Sequence, residues 1–360
     1  MKKYYLLLIV LFTVFSLTLT SCRPPELEGA VVHYKAGRIE QAYDLAKEAT
    51  QKYPDNPEAW YYLGEVQGKK GKIKDMLESF DKSLALKNTY EGEITLATQK
   101  YFNKYYNDGV SAYNAFIKME DKESEETKNT LNKVIDNFNT ALLFKKDYMA
   151  NRLISISYQN LDDQKNTLKY LEEAAKVNPD TILAWIELGF YYNRLQDFSK
   201  AAEYFKKGLE IEPANAECLT LYAQSLDFSG NKEEAIEAYK VAMETNPEEK
   251  AIPFNLGLIL NKKANETEDE AQKKELYEEA ITYFKKVYEI DPELKDIYDL
   301  LTTLLLSLEK YDEAEKILKE GIERFPDSSS IWQNLSFLYA KQGKKDEAEK
   351  AYQRSKDLQQ

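Results

Sequence analysis

Residues 184–213 read AWIELGFYYNRLQDFSKAAEYFKKGLEIEP, and two apolar stripes run through them. Trp185, Leu188, Gly189 and Tyr192 are spaced i, i+3, i+4, i+7 and share one face of a helix. Ala201, Phe205 and Gly208 repeat the pattern at i, i+4, i+7 on a second helix. Leu195-Gln196-Asp197-Phe198 carries neither stripe and suits a tight helix–helix turn. Pro213 closes the unit, because the residue before a proline is pushed out of the α region. Gly189 and Ala201 are small where the paired helices cross, so the backbones can approach closely. The stretch reads as an antiparallel helical hairpin.

Steps of 34 residues find the hairpin again. Ahead lie Tyr222-Ala223, Ala235, Tyr239 and Pro247, then Leu256-Gly257, Ala280, Phe284 and Pro292. Tyr298, Leu301, Ala314 and Pro326 follow, and Trp332, Leu335, Tyr339 and Ala348 make the last copy. Behind lie Tyr158, Leu171, Ala174 and Pro179, then Trp60, Leu63-Gly64 and Phe80, then Gly37, Ala42, Ala49 and Pro54. This spacing resembles the tetratricopeptide repeat, with its W-x2-L-G-x2-Y…A-x3-F…P pattern over 34 residues. The resemblance spans nearly everything after Cys22 and implies an all-α fold, an α-solenoid of about nine hairpins coiled as a right-handed superhelix. Two copies are stretched. The third runs from about 91 to 147, with the acidic run Glu120 to Glu126 inside it. The seventh, about 250 to 294, gains the charged segment Ala264 to Lys274, which reads as a solvated extension of helices or turns. No Gly/Ser or Pro linker interrupts residues 26–360, so one array is expected, each hairpin touching its neighbours.

The N-terminus reads differently. Met1-Lys2-Lys3 is a basic stub, and Tyr4 to Leu19 is an apolar run too short for a comfortable membrane span. It has the form of a secretory signal over 1–21 and ends in Leu19-Thr20-Ser21-Cys22, which resembles a bacterial lipobox. That resemblance implies cleavage before Cys22, a diacylglycerol thioether on it and an N-acyl chain, enough to anchor a protein stably. The alternative is an uncleaved anchor with an incidental cysteine. Residues 22–25 would then join the anchor to the array, since Arg23-Pro24-Pro25 leaves little tether. The expected location is the bacterial cell envelope, lipid-anchored; Arg23, where an Asp would resemble an inner-membrane retention signal, points to the outer membrane facing the periplasm. With Cys22 lipidated, Cys218 has no disulfide partner and reads as a half-buried packing thiol.

Composition narrows the function. The formal charge of −13 becomes −15 once Lys2 and Lys3 leave with the signal, which disfavours nucleic acid, whose phosphates are held by Lys and Arg. The basic Gly68 to Lys72 reads as a solvated turn. His33 is the one histidine, so neither a histidine metal cluster nor a triad with a second histidine can form; it stands at a packing position. No phosphate-cradling glycine motif occurs. No enzyme, cofactor or metal is expected.

Binding remains. The family resemblance places the second, fifth, ninth, twelfth and thirteenth positions of each first helix on a concave surface. Those positions carry Tyr61, Glu65 and Lys69 in the second copy and Arg152, Ile156 and Asn160 in the fourth. The fifth copy has Ile186, Phe190, Asn193 and Arg194, the sixth Thr220, Gln224, Asp227 and Phe228, and the seventh Phe254, Leu258, Asn261 and Lys262. Tyr61, Glu65, Arg152, Phe190, Asn193, Arg194, Gln224, Phe254 and Asn261 are the candidate partner-binding residues, aromatic residues and arginine being favoured at binding hot spots. For Phe190 and Phe254, packing against the next hairpin is an equal reading. The Lys and Asn clamp of chaperone-tail repeats is missing. Trp60, Trp185 and Trp332 are expected to be buried and structural. The resulting expectation is a membrane-anchored scaffold or assembly adaptor for a protein or extended peptide; a glycan or cell-wall-fragment receptor is the alternative.

Overall fold

The computed structural model describes residues 23–359; the signal and Cys22 readings lie outside them. Among the described residues there are eighteen α-helices and no strands. The chain falls into two compact units, the first ending at Val177 and the second beginning at Asn178.

The first unit holds four hairpins. They are α1 (Pro25–Lys35) with α2 (Ile39–Lys52), α3 (Pro57–Lys69) with α4 (Ile73–Leu86), α5 (Glu91–Ile117) with α6 (Glu125–Leu142), and α7 (Tyr148–Asn160) with α8 (Gln164–Val177). The second unit holds five. They are α9 (Ile182–Arg194) with α10 (Phe198–Ile211), α11 (Ala216–Phe228) with α12 (Lys232–Thr245), α13 (Ala251–Glu266) with α14 (Glu270–Ile290), α15 (Lys295–Ser307) with α16 (Tyr311–Arg324), and α17 (Ser329–Lys341) with α18 (Lys345–Asp357). Both enlarged copies have a lengthened helix, 27 residues for the first helix of the third copy and 21 for the second helix of the seventh, while residues 120–124 and 267–269 stay outside the helices. Helix starts carry the sequence signals for them. Pro25 and Pro57 occupy the first turn, and the Asn56, Asp147, Asn215 and Asp269 side chains accept from backbone N–H groups that the helix leaves unpaired.

Five of the hairpins close where a small residue on the first helix receives a ring from the second. A Cβ added to Gly64, Gly189 or Gly257 would stand 2.5 Å from the ring of Phe80, Phe205 or Phe284 respectively. Those three rings are buried to within 1% of full occlusion. In the sixth copy the small residue is Ala223 and the ring is Tyr239, both in the core of the second unit. That core is continuous from Ala202 to Ala351.

Turns follow one plan. Residues 37, 71, 162, 196, 230, 309 and 343 all have positive φ, between 55° and 87°. At the sixth copy the amide of Asn231 reaches back to the carbonyl of Leu226 at 2.9 Å, which the left-handed Gly230 makes possible. Four of the seven positions are glycine; Asp162, Gln196 and Glu309 hold the same conformation with a Cβ. Helix α10 already includes Phe198, so the fifth-copy turn is one residue shorter than its sequence indicates. In the basic turn after α3, Lys70 and Lys72 are not simply solvated. Both ammonium groups lie within 4.8 Å of the Tyr43 ring centre, and Lys70 also pairs with Glu40.

The tryptophans are half-buried rather than buried, a correction with a clear cause. Each indole N–H donates to the proline carbonyl six residues back: Trp60 to Pro54 at 2.8 Å, Trp185 to Pro179 at 2.8 Å, Trp332 to Pro326 at 2.9 Å. The ring therefore sits over the proline turn that precedes its helix as well as against its own hairpin, where Trp185 stacks on Tyr204 at 6.3 Å. Lys82 covers Trp60 and Lys207 covers Trp185, at 4.3 and 5.4 Å from the ring centres. Tyr298 makes the same bond to Pro292 at 2.9 Å.

Two stability measurements test these assignments. Trp185→Phe keeps most of the packing but loses the clasp, and is expected to cost about 1 kcal/mol in urea unfolding; Trp185→Ala is expected to cost about 3 kcal/mol. A Trp185→Phe variant as stable as the parent would show that the N–H contributes nothing. Gln196→Gly relieves a left-handed side chain and is expected to stabilise by up to about 1 kcal/mol, whereas Gly230→Ala destabilises by about 1 kcal/mol. Calorimetric melting of the pair gives the two signs directly.

Candidate functional site

The first helices carry the candidate surface. In the second unit the exposed large apolar side chains include Leu183 (52% exposed), Phe190 (41%), Phe228 (67%), Leu258 (37%) and Phe337 (51%). All five lie on first helices, α9, α11, α13 and α17, at the repeat positions expected to face the concave side. Leu183 and Phe337 were missed among the candidates drawn from sequence. The register itself carries the signal, since Phe337 stands where Phe190 and Leu258 stand in their own copies.

The individual candidates divide by what they touch. Phe190 rests edge-on against Phe205, centroids 5.8 Å apart at 86°, while a large part of its ring stays exposed. Phe254 leans on Phe284 at 6.2 Å and packs partly buried against the core. Asn193 accepts from the Ser225 hydroxyl at 3.1 Å, tying α9 to α11. Arg194 is exposed at the end of α9 and Gln224 half-buried on α11. Asn261 accepts from Asn265 at 3.3 Å. Ile186 is 5% exposed and belongs to packing. In the first unit, Arg152 is half-buried on α7 near Met149. Tyr61 is packed among rings, 4.6 Å from Tyr90, 5.0 Å from Tyr62 and 6.1 Å from Phe80. Glu65 accepts a hydrogen bond from the Tyr34 hydroxyl.

Two carboxyls on these first helices are held above the usual range by burial. Asp227 has Lys262 and Lys232 opposing the shift. Asp299 accepts from Ser330 at 2.7 Å and Asn334 at 3.0 Å, so α15 and α17 are joined by a polar network. Among the described residues no group of three or more His, Cys, Asp or Glu stands close enough to hold a metal. No helix among them is long and apolar enough to cross a membrane.

Cys218 corrects the sequence reading. It is fully buried, not half-buried, because its α11 position faces back onto α10: its Sγ donates to the Phe205 carbonyl at 3.2 Å. Burial pushes the thiol up to about 12, so at neutral pH it carries no thiolate. His33 is half-buried with its Nδ1 unpartnered among the described residues.

Tetratricopeptide-repeat models match residues 192–252, 272–335 and 305–360, and a second such model matches 29–66. The chain carries tetratricopeptide repeats. Its fold is that of a protein-binding scaffold. It is 24% identical over 277 residues to a TPR repeat-containing protein of Methanocaldococcus jannaschii, covering 75% of this chain and 46% of that one. It is 25% identical over 233 residues to the peroxisomal targeting signal receptor of Kluyveromyces lactis, covering 64% and 37%. The chain thus spans less than half the length of these curated relatives. Among solved structures, YrrB, described as a TPR protein with an unusual peptide-binding site, is 20% identical with a TM-score of 0.44, over 57% of this chain and 97% of that one.

Cys218 gives a direct check on the packing. A thiol reagent such as DTNB should leave it unlabelled at neutral pH in the folded protein and label it fully in urea; rapid labelling of the native chain would place it at the surface. Between about pH 9 and pH 12 the unfolded chain releases the thiol proton and the folded chain keeps it, so this group lowers stability as pH rises through that window.

Proposed function

We propose that this chain is a lipid-anchored scaffold of the bacterial cell envelope, which docks a protein or an extended peptide against its first helices. One observation carries the docking half: in the second unit, side chains that would be sheltered in a self-contained fold stand exposed at corresponding repeat positions. An exposed phenylalanine is tolerated singly, but a series at repeating positions marks a contact surface. Arg194, Gln224, Asn193 and Asn261 supply polar groups beside Phe190, Phe254 and Leu258, the mixture of apolar anchors and orienting hydrogen bonds that peptide recognition requires. In the first unit Arg152, Tyr61 and Glu65 take the corresponding role. The anchor half rests on the basic stub, apolar run and Cys22 in sequence. Lipidation at Cys22 would hold the scaffold at the outer membrane, facing the periplasm.

The test is a photoreactive residue at Arg194 in cells, with the same residue at the exposed Glu210 of α10 as the outward control. A protein crosslinked from Arg194 and not from Glu210, and weakened by Phe190→Ala, is the expected result. Solvent adducts alone at Arg194 would remove the docking surface. Co-sedimentation with purified peptidoglycan in place of a crosslinked protein would move the reading to a glycan receptor. Cys22→Ser should shift the chain from the membrane pellet to the soluble fraction; retention in the pellet would end the lipid-anchor reading.

A further inference from the structure

The proposed scaffold draws its exposed apolar anchors from the second unit; the first unit carries a docking surface of different chemistry. Glu65 on α3 lies among phenol rings contributed by three first helices. Tyr34 from α1 donates its hydroxyl to the carboxylate. Tyr61 and Tyr62 flank it on α3 itself, with ring centres 5.0 Å apart and tilted by 68°, and Tyr34 meets Tyr62 edge-on at 6.0 Å. Tyr101 of α5 packs its hydroxyl end over Gly68, where an added Cβ would stand 2.6 Å from the phenol oxygen. The charge of Glu65 is among the influences that hold the Tyr34, Tyr61, Tyr62 and Tyr101 hydroxyls above their ordinary range, after burial itself.

Two turns back along α3, the same face shows what such a surface holds. Glu58 is paired with the Arg23 guanidinium at 2.9 Å, and Arg23 also reaches Glu28 at 3.2 Å. The phenol rings of Tyr62 and Tyr90 adjoin that pair. Glu58 therefore has its cation. Glu65, in similar surroundings, takes part in no ion pair among the described residues. A half-buried carboxylate among phenol groups is a poor place for an anion alone and a good one for an anion with a cation. Ring quadrupoles attract positive charge, and a charge-assisted hydrogen bond is about twice as strong as a neutral one.

We propose that Glu65, with Tyr34, Tyr61, Tyr62 and Tyr101 around it, is a seat for a lysine or arginine side chain of the docked protein segment. The proposal rests on the scaffold reading and names the chemistry of its partner. The net negative charge of the chain favours the approach of a basic segment.

The probe is a fluorescein-labelled peptide of alternating arginine and glycine, with a glutamate–glycine peptide as its opposite, followed by anisotropy on the full chain in detergent. The arginine peptide should bind and the glutamate peptide should not. Glu65→Gln, which keeps the shape of the side chain, should weaken the arginine peptide by roughly tenfold, with the melting temperature little changed. Glu210→Gln removes the same charge from α10 and should leave the affinity unaltered. Equal loss in the two variants would reduce the effect to net charge and overturn the seat, as would failure of the arginine peptide to bind. Repeating the Arg194 crosslink in Glu65→Gln separates the two proposals. Unchanged peptide affinity with the crosslinked partner retained ends the seat alone; no crosslinked partner in any variant counts against the scaffold.

Discussion

The helix crossing inside each hairpin is the contact on which everything else rests. At Gly64, Gly189 and Gly257 the first helix has no side chain, and the second helix fills the space with Phe80, Phe205 and Phe284. The rings come within van der Waals contact of the opposing backbone, so these hairpins close tightly. Because this crossing consumes the apolar stripe of both helices, much of the other side of the first helix is left free, although Phe190 and Phe254 also lean on the ring of their own hairpin. The freedom of that side is what makes a docking surface available at all.

The junctions between hairpins use a different device. Helix termini leave backbone carbonyls unpaired, and a repeat that ends in proline presents one beside the next helix. The indoles of Trp60, Trp185 and Trp332 and the phenol of Tyr298 reach these carbonyls. A single side chain thus packs within one repeat and hydrogen-bonds to the end of the one before. This double engagement explains why the tryptophans are half-exposed and yet structural. Where Leu219 or Pro253 stands at that position no such donor exists, and apolar packing carries the junction: Leu219 is 5% exposed and Pro253 is buried.

Two surfaces of unlike chemistry result. The second unit presents exposed phenylalanine and leucine with amides and arginine between them. The first presents phenols and carboxylates, drawn from α1, α3 and the lengthened α5. The stretched third copy matters here, because Tyr101 comes from its lengthened first helix.

The period of 34 residues, a small residue at the helix crossing, the basic turn after Gly68 and the enlargement of the third and seventh copies were legible in the sequence, because each follows from local geometry or from a spacing repeated along the chain. Candidate surface positions were legible as register, which is why Phe190 and Leu258 could be named, and the same register would have yielded Phe337. The neighbours of each side chain were not. Tyr61 and Phe190 both stand at positions expected on the concave side, the fifth and the ninth, yet one is enclosed by Tyr62, Phe80 and Tyr90 and the other stays open. Burial of Cys218 against Phe205, the Trp–Pro clasps and the gathering of Tyr34, Glu65 and Tyr101 all join residues 6 to 36 positions apart. A repeating pattern specifies which face a residue occupies, whereas its contacts depend on what neighbouring helices bring to that face, and only the folded chain decides that.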